Sequence, residues 1–229
     1  MSFPMAELTA NSTFPFFSKS TTMVKAGKRF FSSGQGMKDR TAVNAQETGE
    51  ASLHLLKKVG GGSDAAFREL VALWEKPLLA FFYRQTGDYH EAQDLAQNVF
   101  RRVFRSASSF RGEGSARAWL FCLARRVLLN HWRTRKRKGF ALPGDEFLHE
   151  VVPLEESGDR KAREEEELFQ KFLFCLPEKQ RTAMLLRVRE EMDYDSIAEV
   201  LGESLANTKV LLHRARGRLR ELYEKESER

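Results

Sequence analysis

A chain of 229 residues can hold one large domain or two small ones, and its formal net charge of +6 favours a polyanionic partner. Two cysteines and five scattered histidines give neither a disulfide framework nor metal-ligand spacing, and no apolar run approaches the length of a membrane span. No phosphate loop, nucleophile elbow or catalytic His–acid pair stands in the sequence, so no catalytic residue, cofactor or metal is expected.

Residues 1–62 are read as a disordered N-terminal extension. The first fifty or so are rich in Ser, Thr, Phe and Gly without a sustained period, and Gly60-Gly61-Gly62 reads as a hinge. From Ser63 the pattern becomes helical. Ser63 or Asp64 can cap a helix carrying Phe67, Leu70, Val71 and Trp74, which Pro77 is expected to break or kink. Asp88 and Glu91 form a capping-box pair ahead of a periodic helix with Ala92, Leu95, Ala96, Val99, Phe100, Val103, Phe104 and Ala107 on one face. Its other face bears Asp94, Gln97, Asn98, Arg101, Arg102 and Arg105.

The loop Ser108–Gly114 leads to Ser115, a cap for a third helix reaching about Lys136. Its expected buried stripe is Ala116, Trp119, Leu120, Leu123, Ala124 and Val127, leaving Phe121 and Trp132 as more exposed aromatics. From Arg101 to Lys138 about a dozen Arg and Lys residues face one acid, Glu113. From Asp145 to Glu167 acids outnumber bases several-fold, and residues 139–163, broken by Pro143, Gly144, Pro153 and Gly158, are read as a flexible acidic linker.

A second helical unit, 164–229, opens with Leu168, Phe169, Phe172, Leu173 and Leu176, and Pro177 restarts a helix through Arg189. The segment Asp193–Arg220 has the layout of a helix-turn-helix. Asp193 caps the first helix, Gly202 ends it in a left-handed conformation, and Ser204 caps the second. On the second helix Leu205, Thr208, Leu212, Ala215, Leu219 and Leu222 make the inward stripe. Asn207, Lys209, His213, Arg214, Arg218 and Arg220 make a polar, basic face that suits a major groove. The expected fold is all-α: two small helical domains on a flexible linker, the C-terminal one a helix-turn-helix.

Two sets of segments, in this order, resemble the bacterial RNA polymerase sigma factors of the extracytoplasmic-function type. The first comprises AFRELVALWEKPLLAFFYRQTGD, EAQDLAQNVFRRVFR and SFRGEGSARAWLFCLARR; the second comprises LPEKQRTAMLLRVREEMDYDSIAEVLGES and LHRARGRLREL. The resemblance covers about residues 63–138 (region 2) and 164–222 (region 4). It implies a cytoplasmic transcription initiation factor that binds core RNA polymerase and promoter DNA, recognises −35 and −10 elements and aids melting. An anti-sigma factor is a further partner that it allows.

Residue by residue, it implies core docking on the clamp helices through Asp94, Leu95, Gln97 and Asn98, the last standing where the family usually has Glu. It implies −10 contacts from Phe110, Arg111, Arg117, Arg125, Arg126, Asn130 and Arg133. Family members often carry Asn at Arg126 and Asp at Asn130. It implies −35 contacts from Asn207, Lys209, Val210, His213 and Arg214, with Ala206-Asn207-Thr208 replacing the usual Gly-Thr-Val. The alternative reading is a free-standing helix-turn-helix regulator not associated with polymerase. The first half discriminates, because a simple repressor has no evident use for its DLAQNVF segment and basic third helix.

Overall fold

The computed structural model describes residues 41–110, 112, 115–140 and 160–228. All regular structure among them is helical: α1 Thr41–Gly60, α2 Asp64–Thr86, α3 Tyr89–Ser106, a 3-10 turn Ala107–Ser109, α4 Ala116–Arg137, α5 Arg160–Phe174, α6 Glu178–Val188, α7 Tyr194–Leu201 and α8 Leu205–Ser227. The expected linker falls mostly outside the described residues, and α5 begins within its last few positions.

Local chemistry sets most helix starts. Ser63, Asp88, Ser115, Asp193 and Ser204 each adopt extended backbone and accept a hydrogen bond from the backbone N–H three residues on, covering a donor the helix cannot satisfy itself. The Asp88 box is only half formed. Asp88 Oδ1 accepts from Glu91 N at 2.8 Å, while the Asp88 N–H goes to Thr86 Oγ1 at 3.3 Å. The Glu91 carboxylate turns instead to His131 and Arg135 of α4.

Two expectations are corrected here. Residues 41–60 form a helix, not part of a disordered extension. Ser52, Leu55, Leu56 and Val59 are buried at helical spacing, and the buried Trp74 Nε1 donates to Ser52 Oγ at 2.8 Å. Pro77 does not end its helix, because α2 runs through it with Trp74 and Leu78 buried on either side. Those core contacts, together with the turns around them, outweigh the hydrogen bond that proline cannot donate.

Helices α1–α4 enclose one aromatic core, where Phe121 lies edge-on to both Trp74 and Phe81 at centroid distances of 5.7 and 5.3 Å. Helices α5–α8 pack around Phe169, Phe172, Leu173, Leu176, Leu185, Ile197 and Leu212, and the buried residues of both groups form one continuous apolar cluster. The two groups meet along a seam where α2 and α4 face α5, α6 and α7. Gln85 Nε2 donates to Thr182 Oγ1 at 2.9 Å, Arg181 Nη1 to Gln85 O at 3.2 Å, and Gln170 Nε2 to Arg84 O at 3.1 Å. Two of these bonds end on carbonyls in the last turn of α2, which lack helical partners. A cation there also complements the helix dipole. Burial pulls the Arg181 guanidinium down to about 10, so it stays charged at neutral pH.

Candidate nucleic-acid interface

Helices α7 and α8 form the expected hairpin. Gly202 sits at φ 64°, and Glu203 N donates back to Ala198 O at 3.0 Å, closing α7 and turning the chain into the Ser204 cap. On α8, Thr208, Leu212, Ala215 and Leu219 are buried, whereas Asn207, Lys209, Val210, His213 and Arg214 are all exposed. The five expected −35 residues thus share the open side of one helix. Leu205 departs from the expected inward stripe and is 37% exposed. The Asn207 Nδ2 donates to Glu203 Oε2 at 2.6 Å, and Glu203 also pairs with Lys179. Tyr194 anchors the hairpin from behind: the Arg216 guanidinium donates to its hydroxyl at 3.3 Å and lowers its pKa.

On α3, Asp94 and Gln97 are exposed and Asn98 is half-buried, one turn apart on the outer side. Leu95 is corrected. At 3% exposed it is a core residue that holds the helix in phase and offers no surface to a partner. Phe104 departs from the expected apolar face: at the far end of the same helix it is 55% exposed, against Phe67 with centroids 5.1 Å apart.

The third set divides in two. Arg126, Asn130 and Arg133 are exposed along α4, with Arg133 Nη1 donating to Asn130 Oδ1 at 2.8 Å. Arg117 and Arg125 lie in the seam. Arg117 Nη2 donates to Glu190 Oε2 at 2.9 Å, and Arg125 reaches both oxygens of Glu178 at 3.2 Å while its Nη1 donates to Leu201 O at 3.2 Å. Burial raises the Glu190 carboxyl, and the nearby arginines, Arg117 foremost, oppose that rise.

The aromatics also sort differently from the expectation. Phe121 is wholly buried and Trp132 is 8% exposed, whereas Trp119 is half-buried and tilts against Phe110 at 5.1 Å. The stripe on α4 is wider than the sequence pattern implies, because α4 is covered by its own bundle on one side and by α7 on another. Arg111 lies outside the described residues.

Helix α1 brings in a residue that the sequence reading omitted. Lys57 is exposed, and its stem lies so close to the loop that a Cβ on Gly112 would stand 2.9 Å from its Cε. The spacing of Ser52, Leu55, Leu56 and Val59 carried the signal for this helix.

Comparison with known proteins matches residues 70–138 to the family described as Sigma-70 region 2, and residues 167–219 to Sigma-70, region 4. The chain is similar to the RNA polymerase sigma-H factor of Pseudomonas aeruginosa, at 30% identity over 74% of this chain and 92% of that protein. It is also similar to the ECF RNA polymerase sigma factor SigW of Bacillus subtilis, at 27% identity over 72% of this chain and 92% of that one. Among solved structures it resembles the sigma factor RpoE from Bartonella quintana in complex with the anti-sigma factor NepR. That likeness has a TM-score of 0.59 and 25% identity, covering 69% of this chain and 96% of that one.

Proposed function

Because this chain belongs to the RNA polymerase sigma factors of the extracytoplasmic-function type, which bind core polymerase and direct promoter-specific initiation, we propose a division of that work among its helices. The exposed face of α8 reads the −35 element. Asn207, Lys209, Val210, His213 and Arg214 reach base edges or phosphates while the opposite stripe holds the helix to its unit. The outer side of α3, through Asp94, Gln97 and Asn98, docks on the clamp helices of the largest polymerase subunit.

Helix α4 and the loop before it take the −10 element. Phe110 and Trp119 supply stacking surface for an unpaired base, and Arg117, Arg125, Arg126, Asn130 and Arg133 track the separated strand. Arg111, by its place in the loop, joins them. The single observation that carries this reading is the sorting on α8, where every expected groove residue is exposed while Thr208, Leu212, Ala215 and Leu219 of the opposite stripe are buried. No side chain is assigned a catalytic role, and the working location is cytoplasmic, where polymerase is. An anti-sigma factor is a further partner, supported by the RpoE likeness. The region 2 match in the first half leaves the free-standing regulator without support.

The test is Asp94→Arg with Gln97→Ala in the full chain. Association with core polymerase should weaken at least tenfold (about 1.4 kcal/mol) with helical content unchanged. Undiminished core binding would reject the docking face. A purified protein that directs core polymerase to no genomic promoter would reject the whole division.

A further inference from the structure

The open side of α8 has a crest and two shoulders. At about 100° of rotation per residue, Val210 and Gly217 stand roughly 170° from the mean direction of the buried stripe Thr208, Leu212, Ala215 and Leu219, and Ala206 roughly 150°. These three residues are what the helix holds furthest from its own unit, and all are exposed, Val210 at 43%. The shoulders are polar. Lys209 and His213 lie on one side, Asn207, Arg214 and Arg218 on the other, each exposed. A Cβ on Gly217 would meet nothing within 4 Å, so no contact inside the protein calls for glycine there, and its effect is to keep the crest low.

A helix laid in a major groove brings its crest to the base edges on the floor and its shoulders to the phosphates of the two walls. Cations on both shoulders and a net charge of +6 suit those walls. The crest, by contrast, carries no side chain that can hydrogen-bond, so it has nothing to pair with the donors and acceptors that mark adenine, guanine and cytosine. One apolar group is displayed on the groove floor, the C5 methyl of thymine.

We propose that Val210, with the Ala206 methyl one turn before it, reads thymine in the −35 element through that methyl. This rests on the assignment of α8 to the −35 duplex and names the base that the assignment leaves open. Ala206 and Val210 lie about 6 Å apart along the helix axis, a strip wide enough for about two adjacent base pairs. Opposite any other base the same strip leaves a polar edge desolvated and unpaired, so the crest rejects as well as attracts. The shoulders hold any sequence, and Val210 selects among them.

The experiment uses the full chain reconstituted with core polymerase. Run-off transcription of genomic DNA maps the promoters it starts, and block replacement of the upstream duplex locates the −35 segment. Each thymine of that segment is then replaced by uracil, which deletes the methyl and keeps every hydrogen-bonding group. At one or two of these positions the change should weaken promoter binding about fourfold, the worth of burying one methyl. Val210→Ser, at an exposed position outside the core, should abolish the difference, whereas Val210→Ile should keep it. Because protein and DNA are altered separately and together, any effect of uracil on duplex stiffness cancels from the comparison.

A −35 segment that needs no thymine, or a uracil penalty that Val210→Ser leaves unchanged, overturns the methyl reading. Arg214→Ala tests the assignment beneath it: binding to thymine and uracil promoters should weaken alike, with the salt slope shallower by about 0.9. If neither Arg214→Ala nor Val210→Ser alters promoter binding, the −35 assignment itself falls. If Val210→Ser instead lowers copurification with core polymerase, the crest belongs to a protein contact and the methyl reading is overturned.

Discussion

Removal of α1 is the most searching perturbation of the first unit. A chain beginning at Ser63 loses Leu55, Leu56 and Val59, all buried, and the Ser52 hydroxyl that accepts from Trp74. At about 1.5–3 kcal/mol for each apolar side chain, the deletion costs roughly 5–9 kcal/mol. That is comparable to the whole stability of a small domain, about 5–15 kcal/mol. The face it uncovers includes Trp74, at 1% exposure, and Phe121 beyond it.

Point substitutions divide the loss. Leu56→Ala should cost about 2–5 kcal/mol, because its site is wholly buried. Ser52→Ala should cost about 1–3 kcal/mol by leaving the Trp74 N–H without an acceptor. The assay is thermal unfolding followed by circular dichroism and Trp fluorescence. A loss of 2 kcal/mol lowers the midpoint by roughly 8–16 °C for a unit of this size. A chain starting at Ser63 that melts cooperatively within a degree or two of the full protein would refute the reasoning. It would also restore the view of residues 41–62 as a passive extension.

Two further predictions concern the helix ends. Glu91 is lowered below its ordinary 4.5 by the hydrogen bond from His131 and by the Arg135 charge. The folded protein therefore binds fewer protons there than the unfolded chain. The stabilisation is complete above 4.5 and is lost as pH falls through the lower folded value. Urea titrations should show Glu91→Gln less stable than the parent at pH 7, with the gap narrowing below pH 4.5; a constant gap rejects this. Glu191 holds φ 51° in the turn after α6, a left-handed conformation costly for a residue with a Cβ. Glu191→Gly should stabilise by roughly 1 kcal/mol, net of the added freedom of the unfolded chain, and a lower midpoint would reject that account.

The parts of the fold legible in the sequence are those that local chemistry decides. A Ser or Asp cap and a following apolar stripe lie within one turn of each other, so α2, α3, α4, α7 and α8 start where the residues indicate. The turn at Gly202 and the exposed polar face of α8 are legible for the same reason. Pro77 misleads because the local cost of proline is visible while the core that offsets it is not. The aromatics of α4 mislead because one stripe was expected where two neighbours cover the helix. Leu95 shows that membership in a recognised segment does not place a side chain on the surface. Least legible are pairs such as Arg84–Glu166 and Arg117–Glu190, whose partners lie 82 and 73 positions apart. A charge count marks such residues as a solvated basic face and an acidic stretch, and only the fold brings them together.

Where α1 ends, its backbone lies directly on the 3-10 turn that leads into the loop before α4. A Cβ on Gly60 would stand 2.9 Å from Ala107 O, with backbone on the other side that cannot rotate away. Gly49, earlier in the same helix, faces open space. The two glycines therefore have opposite tolerances: alanine at 49 costs nothing sterically, whereas alanine at 60 acts as a wedge under the turn. With no side chain between them to absorb displacement, a shift of α1 along its axis is passed undamped to the turn, and from there to the position of Phe110.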